Sequence, residues 1–316
     1  MTKEKVTMVV IALSLSVLMG CSNVDKQKNG NNLDNGSKVE QEQKEDVKAD
    51  EKGLVNELNE IVKDNDNLSD AIKFVDTNIS NVSEETASQM VDIIEKAQKD
   101  YLTTIEGKYY AEGMPEKFFN LKKSVEDLNE LKDINDENIK DLITETKSLG
   151  YKVETAEGMH FPIIDYSFLK KYSSYVTADM KEYIDIMSVE SDKVPAKDAA
   201  LTIGWDDMIN RALTQEKFIN EYKDSVKLND VKELYEKYVY FIFNGLNNTP
   251  LFEYDTKTMV SEAKTSYLTA IENKDNSLLL EELSEYMEVL KGTDYKLTDT
   301  VQEYREDAIK RFIDGE

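Results

Sequence analysis

Few residues of this 316-residue chain have side chains suited to catalysis or metal binding. It contains one histidine, His160, in the segment Gly158–Pro162, and one cysteine, Cys21. A zinc site built from histidine and cysteine needs several such ligands, and cysteine nucleophiles and serine triads need a histidine base. No Gly-x-Ser-x-Gly elbow is present. We therefore predict that His160 is a loop residue bonded to backbone, and we predict neither a metal site nor a cofactor.

The segment Asp64–Asp70 has the acidic composition of a calcium-binding loop. It departs from the EF-hand pattern at Leu68, Ser69 and Val75, where that pattern places a ligand, a glycine and a glutamate. We expect a solvated loop that caps a helix.

Glu190, Ser191 and Pro195 form the pattern closest to a catalytic motif. A glutamate followed by serine at the end of a predicted helix, with proline five residues after the glutamate, resembles the motif of lytic transglycosylases of the lysozyme-like superfamily. The resemblance implies a wall glycosidase with Glu190 as its general acid. The chain then departs from that family, because Ala199–Trp205 replaces its Gly-Ala and Gly-Leu-Met-Gln segments.

A structural interpretation of the same segment is simpler. A helix over 166–190 would end at Ser191 and Asp192, and Pro195 would open the next helix at its first turn. We therefore predict that the protein is not an enzyme, with the glycosidase as the alternative.

Tyrosine is frequent, with 17 residues, and could provide surfaces that bind sugars or proteins. Most tyrosines fall at core-facing helical positions. The best candidates for exposed contacts are two pairs that lie off these stripes: Tyr109 with Tyr110, and Tyr172 with Tyr175.

The segment 244–252 is a second candidate binding surface. It places Leu246, Leu251 and Phe252 among polar turn residues. A polar connection with apolar side chains docks either on its own core or on a partner, and the sequence leaves both alternatives open.

The first twenty residues have the organisation of a signal peptide. Lys3 and Lys5 precede the apolar run Val6–Met19, which at 14 residues is shorter than a membrane-spanning helix. The run is followed by Leu18-Met19-Gly20-Cys21, which resembles the lipobox of bacterial lipoproteins. The resemblance implies cleavage between Gly20 and Cys21 and a diacylglycerol on the Cys21 thiol. Two acyl chains give stable membrane anchoring.

The composition of residues 21–52 predicts a disordered tether that begins at the lipidated Cys21. They contain few large apolar side chains, so burial cannot offset the entropy of ordering them. The net charge of the chain is −25. This charge argues against nucleic acid as a partner and against attraction to anionic lipid, so membrane attachment would depend on the lipid alone.

From residue 53 onward the pattern is helical almost throughout. Apolar residues recur at helical spacing in 86–106, 228–243, 279–290 and 297–312, with a narrower seam from Phe118 to Leu131. Only Met159–Tyr166 could be extended, and Pro162 weakens it as a strand. The sequence predicts an all-α fold of about ten helices in a two-lobed bundle.

A weak repeat suggests two helical modules. The segments 97–106 and 263–272 agree at six of ten positions, and Tyr151-Lys152-Val153 is similar to Tyr295-Lys296-Leu297, although the two spacings differ. Duplication and coincidence both remain open. We place the module boundary between residues 158 and 159.

These patterns predict a lipid-anchored protein on the outer face of the cytoplasmic membrane. Its helical domain would act by binding, as a scaffold for an envelope protein or a wall polymer. The wall glycosidase is one alternative. A solute-binding lipoprotein is another, disfavoured because such proteins normally contain a parallel sheet.

Overall fold

The computed structural model describes residues 50–64, 67–272 and 276–314. The predicted signal peptide, Gly20, Cys21 and most of the tether lie outside these ranges. Within them the fold is all-α, as predicted, with small strand pairs between helices. The helices are α1 (50–62), α2 (Leu68–Asn78), α3 (Glu84–Tyr109), α4 (Met114–Leu121), α5 (Val125–Asn129), α6 (Glu137–Ser148), α7 (Tyr166–Leu169), α8 (Ala178–Asp192), α9 (Trp205–Glu221), α10 (Leu228–Asn244), α11 (Ser261–Glu272), α12 (Leu278–Gly292) and α13 (Asp299–Asp314).

The first described helix is bonded to the start of α3. Residues 50–52 already belong to α1, although the tether was predicted to extend to residue 52. The Glu51 carboxylate accepts hydrogen bonds from the Ser83 N–H at 2.9 Å and from the hydroxyls of Ser83 and Thr86, each at 2.7 Å. A carboxylate at this position also interacts favourably with the positive end of the α3 dipole.

Amphipathic stripes predicted the long helices correctly. α3 contains the whole 86–106 stripe, and Ser83 caps it by accepting a hydrogen bond from the Thr86 N–H. α10 contains the 228–243 stripe. It begins at Leu228, so Asn229 and Asp230 lie inside its first turn.

Two segments predicted as single helices are divided. The Phe118 to Leu131 seam is split between α4 and α5, because Lys122 adopts a left-handed conformation with φ of 52°. The predicted helix over 166–190 consists of α7, a 3-10 turn and α8. Pro195 opens no helix and instead precedes a β hairpin.

Within the described ranges, three antiparallel hairpins connect helices. β1 (Tyr151–Ala156) pairs with β2 (Met159–Ile164), β3 (Ala196–Lys197) with β4 (Ala200–Leu201), and β5 (Gly245–Leu246) with β6 (Thr249–Pro250). The first turns at Glu157-Gly158, whose φ angles of 50° and 78° fit the tight turns that hairpins favour.

Pro162 is compatible with β2 because of its register. It pairs with Val153, while the Asp165 N–H donates to the Gly150 carbonyl at 2.9 Å. Hydrogen-bonded pairs alternate with non-bonded pairs along an antiparallel ladder, so the Val153–Pro162 pair is non-bonded. The missing N–H of Pro162 therefore removes no bond between the two strands.

The outer edge of β1 is covered at its centre by a side chain. Asn129 donates from Nδ2 to the Val153 carbonyl at 2.9 Å and accepts the Val153 N–H on Oδ1 at 2.8 Å. The amide thus replaces the partner that a neighbouring strand would provide. This contact protects an edge strand against pairing with another chain.

The buried side chains form two hydrophobic cores. The first is built mainly from α1 to α8 and β1, and the second from α9 to α13 and the segment after β6. Phe218 of α9 and Val231 of α10 pack in the first core, so these two helices contact both. The described residues accordingly form one compact unit.

The predicted module boundary at 158/159 lies in the turn between β1 and β2. Tyr151 and Val153 belong to the first core and Ile164 packs against it, so the hairpin is part of one core. The similar segments 97–106 and 263–272 lie in α3 and α11, where Tyr101 and Tyr267 are both buried.

Candidate functional site

Glu190 lies near the end of α8, where α9 and α10 approach it. The Tyr238 hydroxyl of α10 is 2.6 and 2.8 Å from the two carboxylate oxygens. Arg211 of α9 places Nη1 3.3 Å from Glu190 Oε1 and also donates to the Lys193 carbonyl at 2.9 Å. Glu190 is therefore held by charge and hydrogen bonds from two other helices.

Burial raises the pKa of Glu190, and the bonds from Tyr238 and Arg211 offset only part of this effect. A carboxyl group with a raised pKa can act as a general acid. The cavity beside Glu190, which Glu182 and Asp185 also line, measures about 160 Å³. Small-molecule sites usually occupy about 300–1,000 Å³, so this cavity is small for a saccharide chain.

The other two residues of the predicted motif have structural contacts. The Ser191 hydroxyl accepts the Tyr166 N–H at 3.2 Å and donates to the Ser188 carbonyl at 3.2 Å. Pro195 is buried just before β3. A hairpin thus follows Pro195 where the structural interpretation of this segment predicted a helix.

Two of the four candidate tyrosines are buried, which corrects the expectation that they form exposed contacts. Tyr109 bonds the Thr146 hydroxyl at 2.8 Å and stacks on Phe118 with ring centroids 5.3 Å apart. The Tyr172 hydroxyl donates to Asp76 at 2.7 Å. Each ring fills the first core while its hydroxyl is bonded, so neither is accessible to a partner.

The other two candidate tyrosines are accessible. Tyr110 is 46% exposed and Tyr175 is 38% exposed. Tyr110 directly follows the buried Tyr109, and Tyr175 lies three positions after the buried Tyr172. Tyrosines close together in the chain thus differ in whether solvent reaches them. Tyr110 and Tyr175 stay candidates for contact.

The segment 244–252 docks on its own core. Leu251 and Phe252 are buried in the second core, and Leu246 is half-buried against it. Leu251 and Phe252 are therefore not accessible to a partner, and the prediction that they form a binding surface is wrong. The β5–β6 turn is held by Asn248, whose backbone N–H donates to the Ala199 carbonyl at 2.8 Å.

His160 lies on β2 and not in a loop. Its ring is half-buried and stacks on Phe118, with centroids 5.0 Å apart, and burial lowers its pKa. Across the described ranges no three His, Cys, Asp or Glu side chains are grouped so that they could hold a metal ion. Nor does any helix in those ranges have the length and apolar composition of a membrane span.

No pattern in the sequence indicated the cavity beside β1, which we call the β1 groove. It has a volume of about 850 Å³ and lies between β1, α5, the end of α8 and the β3–β4 hairpin. Its lining residues are spread over 125–202 and come together only in the fold. Its walls carry four lysines: Lys147, Lys152, Lys193 and Lys197.

Acidic side chains share the β1 groove with these lysines. Lys152 lies 2.9 Å from Asp192 and 3.5 Å from Asp165, and Lys197 lies 2.6 Å from Glu154. Glu126 and Glu130 line the same cavity. The groove therefore presents both signs of charge in a chain that is otherwise strongly acidic.

Lys147 and Lys193 are the exposed lysines of the groove. Lys147 donates to the Asn129 carbonyl, and Lys193 follows the last residue of α8. The only aromatic rings that line the groove are Tyr151, which is buried, and Phe168, which Lys171 covers at 4.1 Å from the ring centroid. The accessible groove surface thus combines charged and polar groups with apolar ones.

The sequence patterns also did not indicate a buried ionic network around Lys227. Lys227 is 2% exposed, and its Nζ lies 2.5 Å from Asp92 Oδ1 and 2.5 Å from Glu95 Oε2. Tyr166 and Tyr183 donate to Glu95 Oε1 at 2.8 and 2.6 Å. In the sequence, Lys227, Asp92 and Glu95 resemble the ordinary surface charges of amphipathic helices.

Comparisons with protein-family models, with curated protein sequences and with solved structures found no match for this chain.

Proposed function

We propose that this chain is an exported, lipid-anchored protein whose helical domain binds a charged peptide segment of another envelope protein in the β1 groove. The anchor is the lipid expected on Cys21, at the outer face of the cytoplasmic membrane. The domain acts as a scaffold or adaptor and performs no catalysis.

The observation that carries this proposal is the charge arrangement of the β1 groove. Lysines and carboxylates line one open cavity of about 850 Å³, which matches the two signs of charge along a polar peptide. A wall polysaccharide is favoured less, because sugar-binding surfaces present accessible aromatic faces and this groove presents a buried ring and a covered one.

The mode of binding is by side chains and not by strand addition. Asn129 occupies the backbone groups of Val153 at the centre of β1, and the Thr155 N–H donates to Glu154 at 2.8 Å. A peptide adding to this edge would have to displace both contacts. The ligand therefore contacts the lysines, carboxylates and hydroxyls of the groove walls.

Reversing the two exposed lysine charges of the groove is expected to abolish most partner capture. Residues 22–316 carrying Lys147→Glu and Lys193→Glu should bind the membrane-protein partner about tenfold more weakly, which corresponds to about 1.4 kcal/mol. The measurement is a pull-down from detergent-solubilised membranes, with the captured protein identified by mass spectrometry and its affinity then measured.

The matched control reverses two exposed lysines outside the groove, Lys73→Glu and Lys310→Glu, with the same change in net charge. Capture lost in the groove variant and kept in this control supports the proposal. Equal loss in both variants, or none in either, contradicts it. Binding to washed sacculi in place of a membrane protein would assign the groove to wall polymer.

The glycosidase alternative is tested in the same preparation with Glu190→Gln. Release of soluble muropeptides from sacculi by the wild-type protein, lost in this variant while the fold is retained, would establish an enzyme. The binding proposal expects no release and unchanged capture. Ligand-dependent stabilisation by small solutes at the groove would favour the solute-binding alternative.

Cys21→Ser is expected to release the full-length protein from membranes. Serine has no thiol for the acyl transfer, and the net charge of −25 gives the chain no attraction to anionic lipid. The measurement is fractionation of cells that express each form, followed by detergent partitioning. Retention of the serine variant in the membrane fraction would contradict lipid anchoring.

A further inference from the structure

The segment 122–133, which contains α5 and which we call the α5 strap, is attached to the fold by few buried side chains. Within it only Leu128 is buried. Its first residue, Lys122, and two of its last three, Leu131 and Asp133, have φ angles of 52°, 55° and 50°. This left-handed conformation is unfavourable for most residues other than glycine. The strap therefore combines a strained backbone near both ends with little burial to hold it in place.

The α5 strap covers the outer edge of β1. Asn129 donates from Nδ2 to the Val153 carbonyl at 2.9 Å and accepts the Val153 N–H at 2.8 Å. The Lys147 ammonium in turn donates to the Asn129 carbonyl. The side-chain amide thus makes the two bonds that a neighbouring strand would make. Another strand could pair with this edge only after the strap had moved away.

Three residues of β1 direct their backbone groups toward this edge. The Val153–Pro162 pair is non-bonded, so the positions that alternate with it bond to β2. The N–H and C=O groups of Tyr151, Val153 and Thr155 therefore point away from β2. The Thr155 N–H accordingly donates to the Glu154 side chain at 2.8 Å. With the strap displaced, β1 presents a free edge of the kind that pairs with another chain.

Two copies of β1 match each other in charge when they run antiparallel about Val153. Lys152 then lies opposite Glu154 of the second copy, and Glu154 lies opposite its Lys152. Opposite charges on facing residues stabilise a pair of strands, and facing side chains are closest in the non-bonded positions that these two residues would occupy. Sliding one strand by two residues sets two lysines or two glutamates opposite each other, which is unfavourable. The sequence of β1 thus favours a second copy as its partner, in one register.

We propose that the α5 strap closes a dimer interface: when the strap moves away from β1, the freed strand pairs antiparallel with β1 of a second copy of this chain, centred on Val153. The two copies are then related by a two-fold axis. Opening breaks the two Asn129 bonds and exposes Leu128, so the isolated chain stays in the closed form. This inference depends neither on the ligand proposed for the β1 groove nor on the lipid anchor.

Hydrogen exchange of residues 22–316 tests whether the strap opens. Amides of 122–133 are expected to exchange well before those of α3, since local opening does not require global unfolding. Asn129→Ala removes both bonds to Val153 and is expected to speed exchange in the strap about thirtyfold, the equivalent of two ordinary hydrogen bonds. Asn220→Ala, at an exposed position of α9, is the matched control and should leave exchange in the strap unchanged.

Sedimentation of the same variants tests the dimer. Residues 22–316 contain no cysteine, so no intermolecular disulfide can imitate it. Asn129→Ala is expected to form dimers at protein concentrations where the wild type is monomeric. Adding Thr155→Pro should restore the monomer. Thr155 faces His160 in a non-bonded pair, so proline there removes no bond to β2 but blocks the outer edge of β1. Adding Glu154→Gln instead should weaken the dimer, because the ion pairs between the two strands are lost.

Three results would overturn the proposal. Strap amides that exchange as slowly as those of α3 would show that the strap does not open. Asn129→Ala protein that stays monomeric, although exchange in its strap is faster and α3 remains protected, would show that the freed edge has no second copy as its partner. Equal association with and without Thr155→Pro would place the contact between copies outside β1.

Discussion

Replacing Lys227 with methionine is expected to lower the free energy of unfolding by about 3–5 kcal/mol, the usual effect of removing one partner from a buried ion pair. Methionine keeps most of the side-chain volume and removes the ammonium. Asp92 and Glu95 would then keep only Lys96 and Lys99 as nearby cations, and both of these lysine side chains are largely exposed to solvent.

The geometry of the network explains the size of this effect. Lys227 precedes α10, while Asp92 and Glu95 lie one turn apart on α3, so the contacts join segments more than 130 residues apart in the chain. The Lys227 ammonium also lies 4.9 Å from the centre of the Tyr183 ring. Removing Lys227 therefore takes away the one buried cation that Asp92 and Glu95 share and loosens the contact between α3 and α10.

The same network predicts a loss of stability in acid. Burial disfavours the charged form of Glu95, but Lys227, Lys99 and Tyr183 outweigh it and lower the pKa of Glu95 from 4.5 to about 2. A carboxyl group with a lowered pKa in the fold stabilises above its unfolded pKa. This contribution is therefore complete above about pH 5 and is lost as the pH falls toward 2, and Asp92, whose pKa is also lowered, adds to it.

Urea unfolding at pH 7 and at pH 3 measures both effects. Lys217→Met is the control, because its side chain is 65% exposed and 4.0 Å from Glu221, and it should change stability by less than about 0.5 kcal/mol. Adding Asp92→Asn and Glu95→Gln to Lys227→Met should recover part of the lost stability, since the two buried carboxylates that Lys227 neutralised are then uncharged amides. A single Lys227→Met variant as stable as wild type would refute a structural role for the network.

Gly245→Ala is expected to be the second severe substitution. Gly245 ends α10 with φ of 69° and ψ of −158°, a conformation that only glycine adopts readily. Strain of this kind costs about 1–3 kcal/mol. An added Cβ would also lie 2.5 Å from the Leu251 nitrogen and 2.5 Å from the Thr249 carbonyl oxygen. Both contacts are to backbone, one in β6 and one in the residue that follows it, so the end of the hairpin itself would have to move.

Two other glycines separate the contributions of strain and contact. Gly158 has φ of 78° but no atom within 4 Å of an added Cβ, so Gly158→Ala should show the strain alone. Gly107 lies within α3 with open space around it, and Gly107→Ala should stabilise by about 0.5–1 kcal/mol. Thermal unfolding should rank the variants Gly107→Ala, Gly158→Ala and Gly245→Ala in order of falling stability. Equal midpoints for the last two would contradict the contact argument.

The helices were predictable because their signal is local. Apolar residues at helical spacing lie within one segment, so the stripes of α3, α10 and α12 could be read directly. Helix ends were predicted less well. The break after Leu121 depends on a left-handed Lys122, a residue type with no preference for that conformation.

The candidate sites depend on contacts between distant segments, and sequence patterns do not report them. Tyr109 and Tyr110 are adjacent and identical, yet one fills the core and the other reaches solvent. The alternation along β1, in which Lys152, Glu154 and Thr155 are the charged or polar positions, was missed because the strand is only six residues long. Lys227 resembles many surface lysines until the fold brings it between two carboxylates.

The bonds between Glu51 and the start of α3 have a mechanical consequence. If the chain is held at a membrane through Cys21, any pull on the domain enters the described fold through α1. Glu51 stands one residue after the start of that helix and transmits the load through three hydrogen bonds to Ser83 and Thr86. The load then passes into α3, which at 26 residues is the longest helix described and packs along the first core. The force thus enters the domain where hydrogen bonds join α1 to the start of α3. We expect α1 to stay attached to α3 until other parts of the fold begin to unfold.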